Sequence, residues 1–282
     1  MRWTVLGSGG CTIIPKPLCQ CRVCREARSK GIPYSRGGPS ALLHDINLLI
    51  DAPAEIASQL NRCGIRQLDY LTFTHLDPDH VEGFRVVEQI ALDFRSWSAY
   101  QNRQICLVLP QELAKNLQKI CSQYGPVIDF YRDSGFVRLQ TYKDSITIGD
   151  VEVTAIPVDR GRQTSFVYVF EKSGSRVVYA PCDVKPFPEH HKKVAEADLL
   201  LIQPGIFESG LKHRFKYPEG HISRKTLYTF EQTLSLSKRI HAKKVVFTHL
   251  EEYWNRSYGD YCKLEPKSKW FQFAYDGMKL TV

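Results

Sequence analysis

Leu68-Asp69-Tyr70-Leu71-Thr72-Phe73-Thr74 runs straight into His75-Leu76-Asp77-Pro78-Asp79-His80, with Val81-Glu82-Gly83 behind it. The first seven residues read as a strand, and a strand that opens onto a loop of His and Asp has the form of a site. His75, Asp77, Asp79 and His80 put four metal-competent side chains within six residues. On a loop such residues converge on one point, which a regular helix or strand would prevent. Imidazole nitrogen together with carboxylate oxygen suits Zn, Fe or Mn. The competing reading is a polar loop whose aspartates cap the following helix. An EF-hand beginning at Asp77 is excluded, because it would put Val81 at a ligand position and Glu82 where the turn needs glycine.

Before that loop lie strand-like runs at Trp3–Leu6, Ala41–Leu43 and Asn47–Asp51, the last two joined by a hairpin at His44-Asp45-Ile46. After it, strand runs are expected at Ile105–Leu109, Ser145–Ile148, Val151–Pro157, Phe166–Glu171, Arg176–Ala180, Leu199–Gln203, Lys244–Thr248 and Met278–Val282. Helical patterns occupy Phe84–Leu92, Gln111–Cys121 after Pro110, and Arg224–Ile240, with Ser223 as a natural N-cap. Hairpin-linked strands in the middle and strand–helix alternation at both ends predict an α/β fold: two mixed β-sheets packed face to face with helices outside, an αββα sandwich.

The chain has 282 residues, 43% of them hydrophobic and 24% charged, which excludes a disordered or fibrous protein and allows a sizeable core. No fixed-period repeat or linker divides it, so one domain over 1–282 is expected, with a cysteine-bearing loop at about 11–40. No apolar run reaches the roughly 18–20 residues of a membrane span. Met1 leads into a strand and a glycine turn without the apolar stretch of a signal peptide, so a cytoplasmic location is expected. The formal charge of +8 favours anionic substrates or partners.

Nine cysteines, an odd number, argue against a disulfide framework, and three of them crowd into Cys19-Gln20-Cys21-Arg22-Val23-Cys24. Three thiolates need a fourth ligand to close a tetrahedral zinc site. A redox role for Cys21 and Cys24 is the weaker reading, since a thioredoxin-like pair opens a helix after a strand and leaves Cys19 without a task. Cys11, Cys63, Cys106, Cys121, Cys262 and Cys182 read as buried small hydrophobes. Gly7-Ser8-Gly9-Gly10 lacks the third glycine of a dinucleotide fingerprint, and a tight turn beside the metal loop is its expected task. His190–Lys193 and His241–Lys244 read as solvated. Lys212, His213, Arg214 and Lys216 are either surface charge or a basic loop facing an anionic substrate. Tyr253, Trp254, Tyr258 and Tyr261 either pack or stack on a base or ribose.

The loop resembles the H-x-H-x-D-H signature of the metallo-β-lactamase superfamily, which implies the metallo-β-lactamase αββα sandwich. Gly7–Gly10, the cysteine cluster, Leu49-Ile50-Asp51-Ala52, Thr248-His249 and Asp276-Gly277-Met278 are closer still to the phosphoribosyl 1,2-cyclic phosphate phosphodiesterases of the carbon–phosphorus lyase pathway. That resemblance implies metals held by His75, Asp79 and His80, by Asp183 as a bridging carboxylate and by His249, with His221 near the substrate phosphate. Two positions depart from it. Asp77 stands where the second His of the signature would be, and Arg160 aligns with a metal-binding His between the motifs. The first metal position therefore keeps only His75 unchanged, with Asp77 beside it, so one or two divalent ions (Zn, Mn or Fe) are expected. Arg160 would clamp a phosphate oxygen, or else face solvent with Asp159 supplying a ligand. Glu252 stands where the family has the fourth ligand of the cysteine cluster. The structural zinc site is then Cys19, Cys21, Cys24 and Glu252, is completed by another residue, or is empty.

The resemblance implies a metal-dependent phosphodiesterase acting on a small anionic, cyclic phosphate or nucleotide-like substrate, with Asp79, His221 and Arg160 as catalytic groups. Nucleic acid is a less favoured substrate, no membrane partner is expected, and a homodimer is left open. The altered first site also resembles the pyrroloquinoline quinone biosynthesis B proteins, which implies an iron-dependent oxidative enzyme as the alternative. A non-catalytic member with a degenerate metal site is the third.

Overall fold

The computed structural model describes residues 1–159 and 164–282, and Arg160 lies outside them. β-branched and aromatic runs form two seven-stranded sheets. The first runs, edge to edge, Val137–Tyr142, Ile105–Pro110, Tyr70–Thr72, Leu48–Ile50, Ser40–Leu43, Arg2–Gly7 and Met278–Thr281. The second runs Ser145–Ile148, Val151–Asp159, Thr164–Lys172, Ser175–Ala180, Leu199–Ile202, Val245–Phe247 and Phe271–Phe273. In each sheet three consecutive antiparallel pairs adjoin three consecutive parallel ones, so each sheet is mixed, as the hairpin and crossover signals predict.

Period-two alternation shows how these strands are packed. In the second sheet Phe166, Tyr168, Phe170, Val177, Tyr179, Leu199, Leu201 and Val246 join the first sheet in one core. Their neighbours Val167, Val169, Val178, Leu200, Ile202, Val245 and Phe247 face a second core roofed by Phe230 and Leu236 of the Phe230–Arg239 helix and by Trp254 and Tyr261. The strands are thus buried on both faces, which is why they read as unbroken apolar runs. Trp3 meets Phe170 edge-on at 4.9 Å, and the Tyr168 hydroxyl donates to the Phe73 carbonyl at 2.9 Å, locking sheet to sheet.

Several expected elements differ in extent. The Arg224–Ile240 helix is two pieces, Ser223–Thr226 and Phe230–Arg239. The break follows from Thr229-Phe230-Glu231-Gln232, a capping box: Thr229 Oγ1 accepts from the Gln232 N–H at 3.2 Å, and Gln232 Oε1 accepts from the Thr229 N–H at 2.9 Å. Ser223 lies inside the first piece, with Ile222 at its N-cap. The Gln111 helix stops at Leu117, and Phe84 lies in a 3₁₀ turn, Glu82–Arg85, ahead of the Val86–Ala91 helix. The Arg22–Lys30, Ile56–Arg62, Val127–Asp133 and Tyr258–Leu264 helices and the Val137–Tyr142 and Phe271–Phe273 strands were not expected.

Gly7, Gly9 and Gly10 make close approaches in place of the expected tight turn. A Cβ on Gly7 would overlap the Gly38 carbonyl oxygen, and one on Gly10 would overlap the Glu251 carboxylate. The segment therefore lies flat against the elements that carry the site.

Candidate metal centre

Five chain segments deliver the site from the carboxyl ends of parallel strands. Leu48–Ile50 and Tyr70–Thr72 run parallel with Ile50 beside Thr72, so Asp51 and Thr74 emerge together. In the other sheet Ala180, Ile202 and Phe247 are parallel neighbours, so Cys182-Asp183, Gln203 and His249 emerge together. Phe166 N–H donates to the Thr74 carbonyl at 2.9 Å where the two edges meet. Ligands collect at such carboxyl edges because the loops leaving them converge. Asp51, Asp183 and His249 all have positive φ, 63°, 53° and 58°. Non-glycine residues held there cost roughly 1–3 kcal/mol each and cluster at functional sites.

The end of the metal loop is not irregular: Pro78–Val81 forms one helical turn with Pro78 at its start. Asp77 occupies the N-cap position but makes no side-chain cap bond, so the helix-cap reading of the aspartates fails for it. Its Oδ2 instead approaches His75 Nε2 at 3.5 Å.

Two donor sets result. In the first, His80 Nε2, His249 Nε2 and Asp79 Oδ2 are 3.3 to 3.4 Å apart. The far nitrogen of each imidazole is already held. His80 Nδ1 faces Asp51 Oδ2 at 2.9 Å, and Asp51 is fixed in turn by the Thr74 N–H at 2.7 Å. His249 Nδ1 faces Glu251 Oε1, which can accept its proton, at 3.3 Å, and Gln203 Nε2 lies 3.2 Å from the same ring nitrogen. A proton held on each Nδ1 leaves both Nε2 lone pairs aimed at one point beside a carboxylate. In the second set His75, Asp77 and Asp183 bring donor atoms within 4.8 Å of one another. His75 is 1% exposed, and its Nε2 has no hydrogen bond.

These residues fit a divalent cation. Burial disfavours charge on His249, yet Cys182, Asp79 and Glu251 hold its pKa well above the ordinary value. At His75 burial and His80 also oppose charge, and Asp77 and Cys182 outweigh them. Asp79 is pulled the other way: burial raises its pKa, while His249, His80 and His75 hold the carboxyl well below the usual range. The pocket thus demands positive charge at its centre, the place a metal ion would fill.

Asp183 groups with His75 and Asp77, so the first metal position, reduced in the sequence to one unchanged ligand, has three donors in the fold. Cys182, expected only to be buried, is buried and also lies with His75 and His80 as a third donor combination. The cleft over the centre holds about 430 Å³ and is lined by Asp77, Asp79, Asp183 and His249, and by Cys11, Lys16, Tyr217 and Tyr253. A larger cavity of about 560 Å³, bounded by Leu60, Ile65 and Arg103, carries none of these donors. His221 stands beside the cleft, outside its lining: its ring meets Tyr217 edge-on at 5.0 Å, and its Nδ1 accepts from the Ser223 N–H at 3.2 Å.

Cys19, Cys21, Cys24 and Glu252 bring donor atoms within 4.8 Å of one another. Glu252 Oε1 lies 3.6, 3.2 and 3.4 Å from the sulfurs of Cys19, Cys21 and Cys24. Zinc with Zn–S near 2.3 Å and Zn–O near 2.0 Å sets tetrahedron edges of about 3.5 Å, so this donor set fits zinc. Burial pushes the Cys24 thiol up to about 12, whereas the Cys21 N–H and Lys212 lower Cys19. Cys21 and Cys24 do open a helix, Arg22–Lys30, contrary to the reason given above against a redox pair, but no strand precedes it directly.

Other expectations change. Cys11 and Cys121 are exposed and Cys63 and Cys262 half-buried; of the cysteines read as small hydrophobes only Cys106 and Cys182 are buried. Lys212 belongs neither to the surface nor to a substrate face: it pairs with Glu252 and lies 3.3 Å from Cys19 Sγ. Trp254 and Tyr261 pack in the second core, and of the aromatic run only Tyr253 and Trp254 reach the cleft lining. Gln203 and Glu251 escaped sequence reasoning as site residues, Asp51 entered it only as part of the resemblance, and Lys212 only as surface charge or a substrate-facing group. The position directly after a parallel strand was the one available signal for Asp51 and Gln203.

Residues 46–250 match the beta-lactamase superfamily domain. No curated protein matches the chain. Among solved structures, a diphosphatase of the PhnP family is 22% identical with a TM-score of 0.72, the likeness covering 100% of this chain and 97% of that one. Zn(2+)-bound PqqB from Methylobacterium extorquens is 17% identical with a TM-score of 0.72, over 100% of both chains. Human tRNase Z, short form, is 16% identical with a TM-score of 0.63, over 100% of this chain and 99% of that one. Identities at this level speak for the fold alone. With the match over 46–250, which runs from before Asp51 to just past His249, this chain belongs to the beta-lactamase superfamily and has the metallo-β-lactamase fold.

Proposed function

We propose that the protein is a metal-dependent hydrolase of phosphodiesters, acting on a small cyclic phosphate or nucleotide-like molecule. The observation that carries this reading is the pair of donor sets, Asp79/His80/His249 and His75/Asp77/Asp183, side by side under one cleft. Held by these residues, divalent ions would supply Lewis acidity toward a phosphoryl oxygen and lower the pKa of a bound water toward neutrality. The other steps belong to the chain. Asp51, Gln203 and Glu251 fix the imidazoles, so that binding costs little reorganisation. Asp79, kept ionised by the histidines around it, orients the attacking water. His221 accepts the Ser223 N–H at Nδ1, which leaves an Nε2–H to donate a hydrogen bond to the departing oxygen and stabilise its developing charge. Lys16 in the cleft lining adds positive charge toward a phosphate, and Arg160, outside the described residues, is assigned the anion clamp on the resemblance alone.

Metal-loaded protein is expected to hydrolyse bis(p-nitrophenyl) phosphate and to act on five-membered cyclic phosphates. His80→Ala should abolish turnover, and His221→Ala should lower kcat by about 10²–10⁴-fold with little change in metal content. No hydrolysis of any phosphodiester by the loaded protein would refute the reading.

One feature favours a second reading. Asp79, His80 and His249 are two imidazoles and one carboxylate, the donor set of non-haem iron(II) oxygenases. An iron-dependent oxidation would show itself as oxygen consumption by Fe-loaded protein without esterase activity.

A further inference from the structure

The cysteine cluster differs from a zinc site with a neutral fourth ligand in one respect that can be counted. Three thiolates and a carboxylate place four negative charges around an ion that carries two positive ones. Glu252 is 2% exposed, so the excess is held away from water, where uncompensated charge is costly. Among the described residues Lys212 places its charge directly on the ligand atoms, while Arg28 binds the Cys19 and Lys16 carbonyls. The ammonium of Lys212, 13% exposed, pairs with Glu252 Oε1 and lies 3.3 Å from Cys19 Sγ.

We infer that Lys212 is the charge-balancing partner of a Cys19–Cys21–Cys24–Glu252 zinc site, and that Glu252 and Lys212 together take the place of one neutral ligand. The inference rests on the reading of that cluster as a zinc site. Lys212 restores the net charge that a site with three cysteines and one histidine carries unaided. An ammonium at a carboxylate–thiolate edge suits this because it is a compact point charge with three donors, able to serve oxygen and sulfur at once.

The pairing also has a mechanical side. Lys212 begins a turn, Lys212–Arg214, in the segment that supplies Tyr217, Ser223, Thr226 and Leu227 to the cleft. Glu252 follows Glu251, which faces His249 Nδ1 at 3.3 Å. Zinc at the cysteines, held through this pair, fastens one wall of the cleft to the residue behind the final histidine.

Zinc affinity by competition with a chromogenic chelator tests this without reference to turnover. The full chain is compared with Cys21→Ser, Lys212→Met, Lys212→Arg, Glu252→His and the double variant Lys212→Met/Glu252→His. Wild type should hold one zinc more than Cys21→Ser. Lys212→Met should weaken that zinc by roughly 10–100-fold, as loss of an outer partner does, and Lys212→Arg should restore most of it. In the Glu252→His background Lys212→Met should change affinity less than about threefold. Wild-type affinity in Lys212→Met, or an equal loss in the Glu252→His background, would overturn the inference. Equal zinc content in wild type and Cys21→Ser would overturn the zinc reading beneath it while leaving the active-site proposal untouched.

Discussion

At the scale of single residues, the centre works because each donor's other atoms are already committed. Asp51 shows this best. Its Oδ2 lies 2.9 Å from His80 Nδ1, and its Oδ1 accepts the Thr74 N–H at 2.7 Å, so one buried carboxylate fixes both a candidate ligand and the start of the loop that carries it. Asp51→Ala should weaken metal binding about 10–100-fold, measured by chelator competition, even though Asp51 belongs to neither donor set. His75, Asp77, Asp79 and His80 were legible because they fall within six residues after a strand. Asp183 and His249 were reached through resemblance alone, since no local spacing links them to the loop. Cys182, Gln203 and Glu251 gave no such lead. A cysteine between proline and aspartate reads as core, and a glutamine after an apolar strand reads as its polar end. Only the meeting of the two sheet edges shows what they face.

At the scale of elements, apolar runs mark the strands, and side-chain caps mark the starts of the Arg22–Lys30 and Phe230–Arg239 helices. The two-piece form of 223–239 follows from Thr229-Phe230-Glu231-Gln232, a signal present in the sequence but overridden there by the apolar period on either side of it. Thr229→Ala should lower stability by about 1 kcal/mol in urea unfolding, because the first turn of the Phe230–Arg239 helix loses its side-chain acceptor. The Arg22–Lys30 helix was missed for a different reason. Its sequence, Arg22-Val23-Cys24-Arg25-Glu26-Ala27-Arg28-Ser29-Lys30, is mostly polar, with Val23, Cys24 and Ala27 alone turned inward. A stripe that narrow gives little period to read. Cys21 caps that helix by accepting the Cys24 N–H, so the cluster is built into a helix start.

At the scale of the whole molecule, the αββα arrangement was legible because both sheets are buried on at least one face and hairpin-linked strands in the middle of the chain are flanked by strand–helix alternation. The order of strands was not, since it depends on which carboxyl ends lie side by side. One tie between the sheets offers a test of that arrangement. Asp45 accepts the Arg2 N–H at 2.7 Å and pairs with Lys172 of the second sheet at 2.8 Å. Burial would raise its pKa, but these two partners hold the carboxyl below its ordinary value. A depressed folded-state pKa stabilises the protein above the ordinary carboxylate pKa of about 4 and loses that effect as pH falls below it. Asp45→Asn should therefore cost about 1 kcal/mol at pH 7, a difference that shrinks toward zero below about pH 3 in urea titrations.

Anomalous scattering at the Zn, Mn and Fe edges from crystals of metal-loaded protein addresses the central claim most directly, because it locates and identifies every bound ion. The account predicts one peak among Asp79, His80 and His249, a second among His75, Asp77 and Asp183, and a zinc peak among Cys19, Cys21, Cys24 and Glu252. Crystals with metal at the cysteines and none at the His75–His80 loop would contradict it.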